Sequence, residues 1–354
     1  MGAASGADLG EVLLAQVRDA LAANRPLRIE GGGSKASHGR PVAGTPLDVR
    51  GQRGVVSYDP SELVVTVRAG TPLAELEAAL DACGQMLACE PPHFTPHATV
   101  GGMTAAGLSG PRRPWAGSVR DFVLGCRVIT GLGKHLRFGG EVMKNVAGYD
   151  VSRLMAGSRG CLGVITEVSF KVLPKPRATS TLRLEMGRAE AVQKLAEWSR
   201  QPLPITGAAH DGEAALLRLE GGEGSVSAAR GRLGGEEVAA VFWTRLRELA
   251  LPFFADPRPL WRLSVASHRT PLTLPGDALL DWGGAQLWLK SEAGADAIRA
   301  AATAAGGHAE CLTPGTVDSP LQPLPETLQR YHRQLKAQLD PQGIFNPGRM
   351  YDWL

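Results

Sequence analysis

Paired cysteines are absent from this sequence. Its five cysteines stand singly and no Cys-x-x-Cys occurs, which argues against an iron–sulfur cluster or a structural zinc held by this chain alone. No apolar run approaches the roughly 20 residues of a membrane span, and residues 1–10 lack the basic region and apolar core of a secretory signal. These absences predict a cytoplasmic protein with reduced, buried thiols, which would reach the inner membrane only through a partner.

Clusters of charge are absent as well. The 38 Lys and Arg residues and the 35 Asp and Glu residues leave a formal net charge of +3 and are scattered along the chain, so no basic footprint for nucleic acid is visible. A 44% share of hydrophobic residues is ordinary for a globular protein. The length of 354 residues exceeds the roughly 250–300 at which a single core stops growing, and this predicts two domains.

Glycine is abundant, with 44 residues, and three stretches of the first half are rich in it. They are the run Gly31 to Gly39, the run Pro96 to Gly110, and Gly157-x-x-Gly160-x-x-Gly163. Bare backbone approaches another molecule closely, and its N–H groups suit the diphosphate of a nucleotide cofactor. A small-residue turn packed on a neighbouring strand explains the middle stretch equally well, but the three stretches together favour a cofactor.

A Rossmann fold is excluded by context. Gly31-x-Gly33-x-x-Ala36 matches the relaxed dinucleotide fingerprint, which requires a helix to begin at the loop. Instead the sequence continues with closely spaced helix breakers, which are Gly39, Pro41, Gly44 and Pro46. The cofactor loop predicted here therefore belongs to another fold.

The order of predicted elements is α+β rather than a regular alternation. Asp8 is expected to cap a helix that turns Leu9, Val12, Leu13, Val17 and Leu21 inward. Short strands and a helix starting at Thr71-Pro72 follow, then a hairpin formed by 123–130 and 134–138. Pro174 and Pro176 mark a domain boundary, and 179–322 reads as an antiparallel sheet with helices on one side.

Six motifs occur along the chain: Glu-Gly-Gly-Gly-Ser-Lys at 30–35, Ala-Thr-Val-Gly-Gly at 98–102, Gly-Pro-Arg-Arg-Pro-Trp-Ala-Gly-Ser-Val-Arg-Asp-Phe-Val-Leu-Gly at 110–125, Lys-Asn-Val-Ala-Gly-Tyr-Asp at 144–150, Gly-Val-Ile-Thr-Glu at 163–167 and Phe-Asn-Pro-Gly-Arg at 345–349. Together they resemble the PCMH-type FAD-binding family, also called the vanillyl-alcohol-oxidase type. Within it they look most like the FAD-binding subunits of bacterial glycolate oxidases. The motifs cover the first half and the last dozen residues, and the middle carries almost none.

The resemblance implies an α+β fold in which a PCMH-type FAD-binding domain of two α/β subdomains is joined by a smaller α+β cap domain with an antiparallel sheet. The FAD-binding domain would take residues 1–175, completed by the C-terminal segment 325–354. The cap domain would take residues 176–324.

The resemblance also implies the residues of the cofactor site. One side of a pyrophosphate cradle would be Gly31, Gly32, Gly33, Ser34 and Lys35. The other side, reaching toward the flavin ring, would be Pro96, Thr99, Gly101, Gly102 and Ala105. Backbone at Gly163, Val164 and Ile165 would meet the adenosine end, and Asn346 would lie near the isoalloxazine. Lys144 and Tyr149 are candidates for the substrate side of the ring, although a structural role suits Tyr149 at least as well.

Noncovalent FAD is expected. Some relatives tether the flavin to a histidine beside the first glycine run, where this sequence has Ser34-Lys35, with His38 nearby. Oxidising a 2-hydroxy acid requires a positioned base and a cation for the carboxylate. The second half of this chain holds only isolated histidines, at His210, His268, His308 and His332, so the catalytic residues remain unknown.

Two further pairs of residues have an ordinary structural explanation beside a functional one. His93 and His97 are spaced like a metal pair, but Pro92 and Pro96 forbid the helix that would align them, and no metal site is predicted. Arg112 and Arg113 would hold an anionic substrate or a partner surface, or else form a solvated basic turn.

The leading hypothesis is an FAD-binding subunit of a glycolate oxidase (glycolate dehydrogenase) complex. It would act with a larger FAD-containing catalytic subunit and an iron–sulfur subunit in oxidising glycolate to glyoxylate and transferring electrons. A self-sufficient FAD-dependent 2-hydroxy-acid dehydrogenase is the alternative, and a flavin-free scaffold is the third possibility. Neither nucleic acid nor direct membrane insertion is expected.

Overall fold

The computed structural model describes residues 6–140, 150–266 and 273–354. The chain forms two compact units. Unit 1 comprises 1–109, 117–174 and 323–354, and unit 2 comprises 110–116 and 175–322. The passage from unit 1 to unit 2 after residue 174 lies at Pro174 and Pro176, whereas the assignment of 110–116 to unit 2 was not anticipated. Lys144, Tyr149 and His268 lie outside the described residues.

Unit 1 combines short helices with small sheets. Its described helices are α1 (Gly10–Ala22), α2 (Leu73–Asp81), α3 (Val100–Ala106), α5 (Val119–Phe122), α6 (Val151–Met155) and α11 (Glu326–Leu339). Its described strands are β1 (Leu27–Glu30), β2 (Thr45–Asp48), β3 (Val55–Asp59), β4 (Val64–Arg68), β5 (Gln85–Met86), β6 (Val123–Ile129), β7 (His135–Gly139), β8 (Val164–Lys171) and β9 (Leu173–Pro174).

The main sheet of unit 1 has the strand order β3-β4-β8-β6-β7, and every neighbouring pair is antiparallel. β8 lies in the middle, and all of its residues from Val164 to Phe170 are buried. Its buried polar residues are hydrogen-bonded: Thr166 to His135 at 2.8 Å, Glu167 to Arg127 at 3.1 Å and Ser169 to Thr66 at 2.8 Å. The predicted hairpin is confirmed as β6 and β7.

Helix α1 packs on a separate parallel pair formed by β1 and β2. Its buried side chains Leu13, Leu14 and Val17 contact a core that includes Phe345 near the C-terminus. Placing Val12 on the inward face was wrong, because that side chain is 52% exposed. Asp8 is not the N-cap as predicted: that position is Leu9, which makes no side-chain capping bond, although Asp8 Oδ1 accepts from the Gly10 amide at 3.0 Å.

Unit 2 is built on one larger sheet. Its described helices are α4 (Arg113–Ala116), α7 (Arg188–Trp198), α8 (Glu223–Leu233), α9 (Val241–Arg247) and α10 (Ala295–Ala304), with 3₁₀ turns at Pro252–Ala255 and Trp282–Gly284. Its described strands are β10 (Ala178–Glu185), β11 (Ile205–His210), β12 (Ala214–Gly221), β13 (Glu236–Val238), β14 (Leu260–Ser264), β15 (Asp277–Asp281), β16 (Gln286–Lys290) and β17 (His308–Cys311). The strand order is β13-β10-β12-β11-β15-β16-β14-β17.

Helices cover both faces of this sheet, so the expectation of helices on one side was wrong. Leu217 of β12 packs with Leu195 of α7, while its neighbour Leu216 packs with Trp243 of α9. Successive strand residues point to opposite faces, and both of these leucines are buried. A helical pattern through 238–249 predicts α9 itself, and Trp243 and Leu246 are its buried residues, but the pattern does not show which face of the sheet the helix covers. The α+β class with an antiparallel second sheet is confirmed.

Candidate functional site

A cavity of about 490 Å³ opens in unit 1 where several loops converge. Its wall is formed by β1 and the residues after it, by one face of α3, by the loop before β8 and by the C-terminal tail. The lining residues are Arg28, Ile29, Glu30, Gly31, Gly32, Gly33, Ser34, Lys35, Ala36, His38, Val42, Arg50, Thr99, Gly102, Ala105, Ala106, Arg159, Asn346 and Arg349. The fold thus brings together segments more than 300 residues apart in the sequence.

The first glycine run forms a close-packed side of this cavity. A Cβ on Gly32 would lie 1.5 Å from the carbonyl oxygen of His97, and one on Gly31 would lie 2.7 Å from Thr99 Oγ1. Gly33 has a φ of +69°, in the left-handed region that favours glycine. The loop therefore presents backbone rather than side chains to the cavity at these positions.

The middle glycine stretch is partly helical, where the sequence had suggested a loop. Thr99 caps α3, its hydroxyl accepting from the Gly102 amide at 3.2 Å, and Gly107 ends the helix with a φ of +66°. Gly102 and Ala105 face the cavity. Gly101 faces away from it, since a Cβ there would lie 2.6 Å from that of Ala69.

Asn346 joins two walls of the cavity. Its Oδ1 accepts from the Ile29 amide at 2.8 Å, and its Nδ2 donates to the Arg159 carbonyl at 2.8 Å. The residue is buried and has a φ of +40°. Its side chain thereby holds β1 and the third glycine loop in a fixed relation.

Arg349 fastens the same tail to the first glycine run. Its guanidinium donates to the carbonyls of Arg40 at 2.7 Å, Ala36 at 2.9 Å and Lys35 at 3.1 Å. Burial and the neighbouring Arg159 lower the pKa of Arg349 below the usual arginine value. The tail is therefore a structural part of the cavity, which explains its specific sequence.

Basic side chains predominate in the wall, but some are already neutralised. Arg28 pairs with Glu30 at 2.6 Å, and Arg50 pairs with Asp48 at 2.7 Å. Lys35 Nζ donates to the His93 carbonyl at 3.3 Å and lies 5.2 Å from the centre of the Phe94 ring. The remaining positive charge suits an anionic ligand.

The structure places the other predicted site residues outside this wall. Pro96 is exposed. Gly163 abuts β6, where a Cβ would lie 2.6 Å from Val128 Cγ1. Val164 and Ile165 are buried in β8, so the adenosine contact assigned to these three residues remains a prediction.

Arg159 and Arg349 are two lining residues that the sequence interpretation overlooked, although both lie inside motifs that it quoted or marked. Arg28, Val42 and Arg50 carried no sequence signal at all. His38 lies in the wall, is 7% exposed and stacks on Phe94 with ring centres 5.6 Å apart. Among the described lining residues it is the only imidazole.

Two other predicted groups have different outcomes. Arg112 is buried and pairs with Glu220 in unit 2, so the solvated basic turn is wrong for it. His93 Nε2 lies 3.0 Å from Glu77 Oε2. Within the described parts of the chain, no group of three or more His, Cys, Asp or Glu residues is placed to hold a metal ion.

Comparison with known proteins bears directly on this cavity. Residues 10–139 match the protein family described as FAD binding domain. Over 344 residues, which is 97% of this chain and 98% of the relative, the sequence is 61% identical to glycolate oxidase subunit GlcE of Escherichia coli (strain K12). The chain belongs to the GlcE family. The resemblance inferred from the six motifs is therefore confirmed, as is FAD as the cofactor.

More distant similarities are partial or concern the fold. Glycolate oxidase subunit GlcD of Bacillus subtilis (strain 168) is 34% identical over 128 residues, 36% of this chain and 27% of that protein. The solved structure of an alkyldihydroxyacetonephosphate synthase matches with a TM-score of 0.68 and 19% identity, covering 95% of this chain and 74% of that one. The GlcE-family chain thus has the PCMH-type fold expected from its motifs.

The cavity suits the cofactor class of the family. Glycine positions whose Cβ would collide with neighbouring atoms keep the backbone of the first loop close to the cavity, and cationic side chains add positive charge.

No helix of the described residues is long and apolar enough to cross a membrane.

Proposed function

We propose that this chain is the FAD-binding subunit of a glycolate oxidase complex. The proposal is supported above all by the near full-length identity with a protein named as a glycolate oxidase subunit. The cavity in unit 1, with its glycine-rich wall, is the proposed flavin site. When bound, the flavin supplies the two-electron oxidation chemistry that amino-acid side chains lack.

The residues proposed to hold FAD divide by the kind of contact they offer. The backbone of Gly31, Gly32 and Gly33, with Ser34 and Lys35, would take the diphosphate. Gly102 and Ala105 leave room for the rest of the nucleotide, and Thr99 keeps α3 in place. Asn346 orients the tail beside this space. Pro96 and Gly101 would act indirectly, by shaping these loops, and the backbone of Gly163, Val164 and Ile165 would meet the adenosine end.

Noncovalent binding is part of the proposal. Ser34 and Lys35 occupy the place where a tethering histidine would stand, and the ring of His38 stacks on Phe94. Acid precipitation of the yellow protein should release all of the flavin into the supernatant. Flavin that stays with the pellet would contradict noncovalent binding.

Substrate oxidation is assigned to the complex rather than to this chain alone. A hydroxyl proton must be removed by a positioned base, and the only imidazole among the described lining residues is the stacked His38. The proposed partners are a larger FAD-containing catalytic subunit and an iron–sulfur subunit. We propose a cytoplasmic location, with any contact to the inner membrane made through these partners.

One experiment separates this proposal from its alternatives. The purified chain should be yellow and should keep its flavin absorption when glycolate is added without oxygen. Bleaching by glycolate would favour a self-sufficient 2-hydroxy-acid dehydrogenase. A colourless protein that FAD does not reconstitute would favour a flavin-free scaffold. If the leading proposal is correct, glycolate-dependent bleaching should occur only after the partner subunits are added.

A further inference from the structure

Two arginines from separate loops converge at one end of the cavity. A Cβ on Gly39 would lie 3.0 Å from Arg159 Nη1 and 3.4 Å from Arg349 Nε, so both guanidinium groups contact the same point of the first glycine loop. Both residues line the cavity, and Arg159 Nη1 is shielded from solvent. Two like charges brought together in a half-buried place repel each other.

The contacts of Arg349 do not offset this repulsion with negative charge. Its hydrogen-bond acceptors are three neutral main-chain carbonyls, and no carboxylate of the described residues pairs with it. Lys336 nearby differs, since its Nζ is 2.7 Å from Asp340 Oδ2. Buried charges are ordinarily paired. Because Arg349 lines the cavity, an anion bound there would supply the negative charge.

Resting on the proposed function, we propose that Arg159 and Arg349 form the anion-recognition end of the cavity, with Arg349 placed to bind the diphosphate of FAD. The carboxylate of a hydroxy acid is also negatively charged but fits the surroundings less well. The backbone N–H groups of the glycine run that Arg349 fastens suit phosphate oxygens, whereas a reacting hydroxy acid needs a base beside it.

The test measures FAD affinity by flavin fluorescence at low and at high salt. In Arg349→Gln the dissociation constant should rise about tenfold or more, since a charge-assisted contact is lost, and its salt dependence should flatten because screening then has less to act on. Arg349→Lys should recover part of the affinity and the salt dependence. A purely structural clamp would instead fail equally in both variants, since lysine cannot reproduce the three carbonyl contacts.

Arg53→Gln is the matched control. It removes the same charge from an exposed residue of unit 1 that pairs with Glu75 and does not line the cavity, so FAD affinity should change less than twofold. Competition supplies a second readout: ADP should displace FAD from the wild type more effectively than from Arg349→Gln, while glycolate should displace it from neither.

The possible failures are distinguishable. A wild-type chain that binds no FAD overturns the proposed function. Wild-type FAD affinity and salt dependence in Arg349→Gln overturn the inference about Arg349 and leave the proposed function intact. Loss of glycolate binding by the assembled complex, with FAD affinity unchanged, would assign the two arginines to the substrate carboxylate instead and would likewise overturn the diphosphate assignment.

Discussion

At the scale of single residues, adjacent glycines of one motif serve different purposes. Gly101 donates its amide to the Ala69 carbonyl at 2.7 Å and packs against that residue, whereas Gly102 faces the cavity. The motif alone shows both as small residues. Only the direction in which each missing Cβ would point separates a packing role from a ligand-facing one.

Substitutions at these two glycines should therefore have different effects. Gly101→Ala should lower the free energy of unfolding of the flavin-free chain by about 1–3 kcal/mol because of overpacking against Ala69. Gly102→Val should abolish flavin retention at a smaller cost in stability, since a Cβ there would lie 3.1 Å from Thr99 Oγ1 rather than 2.6 Å from Ala69 Cβ. Thermal unfolding of the apo form and the flavin content after purification measure the two effects. Tight FAD binding by Gly102→Val would refute the placement of flavin in this cavity.

The side chain of Asn346 links two segments of the chain through two hydrogen bonds. Removing it in Asn346→Ala leaves the Ile29 amide and the Arg159 carbonyl without their partner, and the free energy of unfolding should fall by about 2 kcal/mol. FAD affinity should fall with it, because two walls of the cavity lose their link. Asn24→Ala is the control, since Asn24 also has a positive φ of 47° but is exposed; equal losses in the two variants would argue against the bridging role.

At the scale of elements, a buried ion pair connects segment 110–116 with strand β12. Arg112 and Glu220 pair with side chains only 8% and 7% exposed, and Arg218 Nε lies 3.6 Å from the same carboxylate. Burial raises the pKa of Glu220, but Arg218 and Arg112 outweigh it, so the pKa ends below the ordinary value. The segment is thereby held in unit 2 by charge as well as by packing.

The sign of this shift gives a pH prediction. A carboxyl group with a lowered pKa in the folded state stabilises the fold above its unfolded pKa, ordinarily about 4.3, and that contribution is lost as pH falls through the folded value. Glu220→Gln should lose about 3 kcal/mol at neutral pH, because one partner of a buried pair is removed. The difference from wild type should shrink in acid, as thermal melts at several pH values will show.

An exposed ion pair serves as the control for this prediction. Glu185 also pairs with an arginine, Arg183, but its side chain is 75% exposed, and Glu185→Gln should change stability by less than about 1 kcal/mol. A pH-independent difference between wild type and Glu220→Gln would show that the charge of Glu220 is not responsible.

At the scale of the whole molecule, the two units can be followed by different spectroscopic signals. Six of the seven tryptophans fall in unit 2: Trp115, Trp198, Trp243, Trp261, Trp282 and Trp288. The remaining one, Trp353, is in unit 1, as is the whole cavity. Tryptophan fluorescence therefore follows mainly unit 2, while flavin release follows unit 1.

Ligand binding should raise the transition temperatures reported by flavin and by tryptophan unequally. Excess FAD adds RT ln(1 + [L]/Kd) to the stability of the form that binds it, about 2.7 kcal/mol at one hundred times Kd. The temperature of flavin release should rise with FAD concentration, and the tryptophan transition should move less. Parallel shifts of both transitions would mean that the two units unfold as one cooperative body.

The amino-acid sequence by itself determined the α+β class, the hairpin of β6 and β7, the cofactor and the family, because glycine runs, proline breaks and alternating strands act locally. It did not place Val12 outward or α9 on the second face of the large sheet, since both depend on which neighbours are already packed. Nor did it show that Arg349, Asn346 and the first glycine run share one cavity. That depends on tertiary structure, because loops more than 300 residues apart meet only when the core of α1, β1 and Phe345 brings the two ends of the chain together.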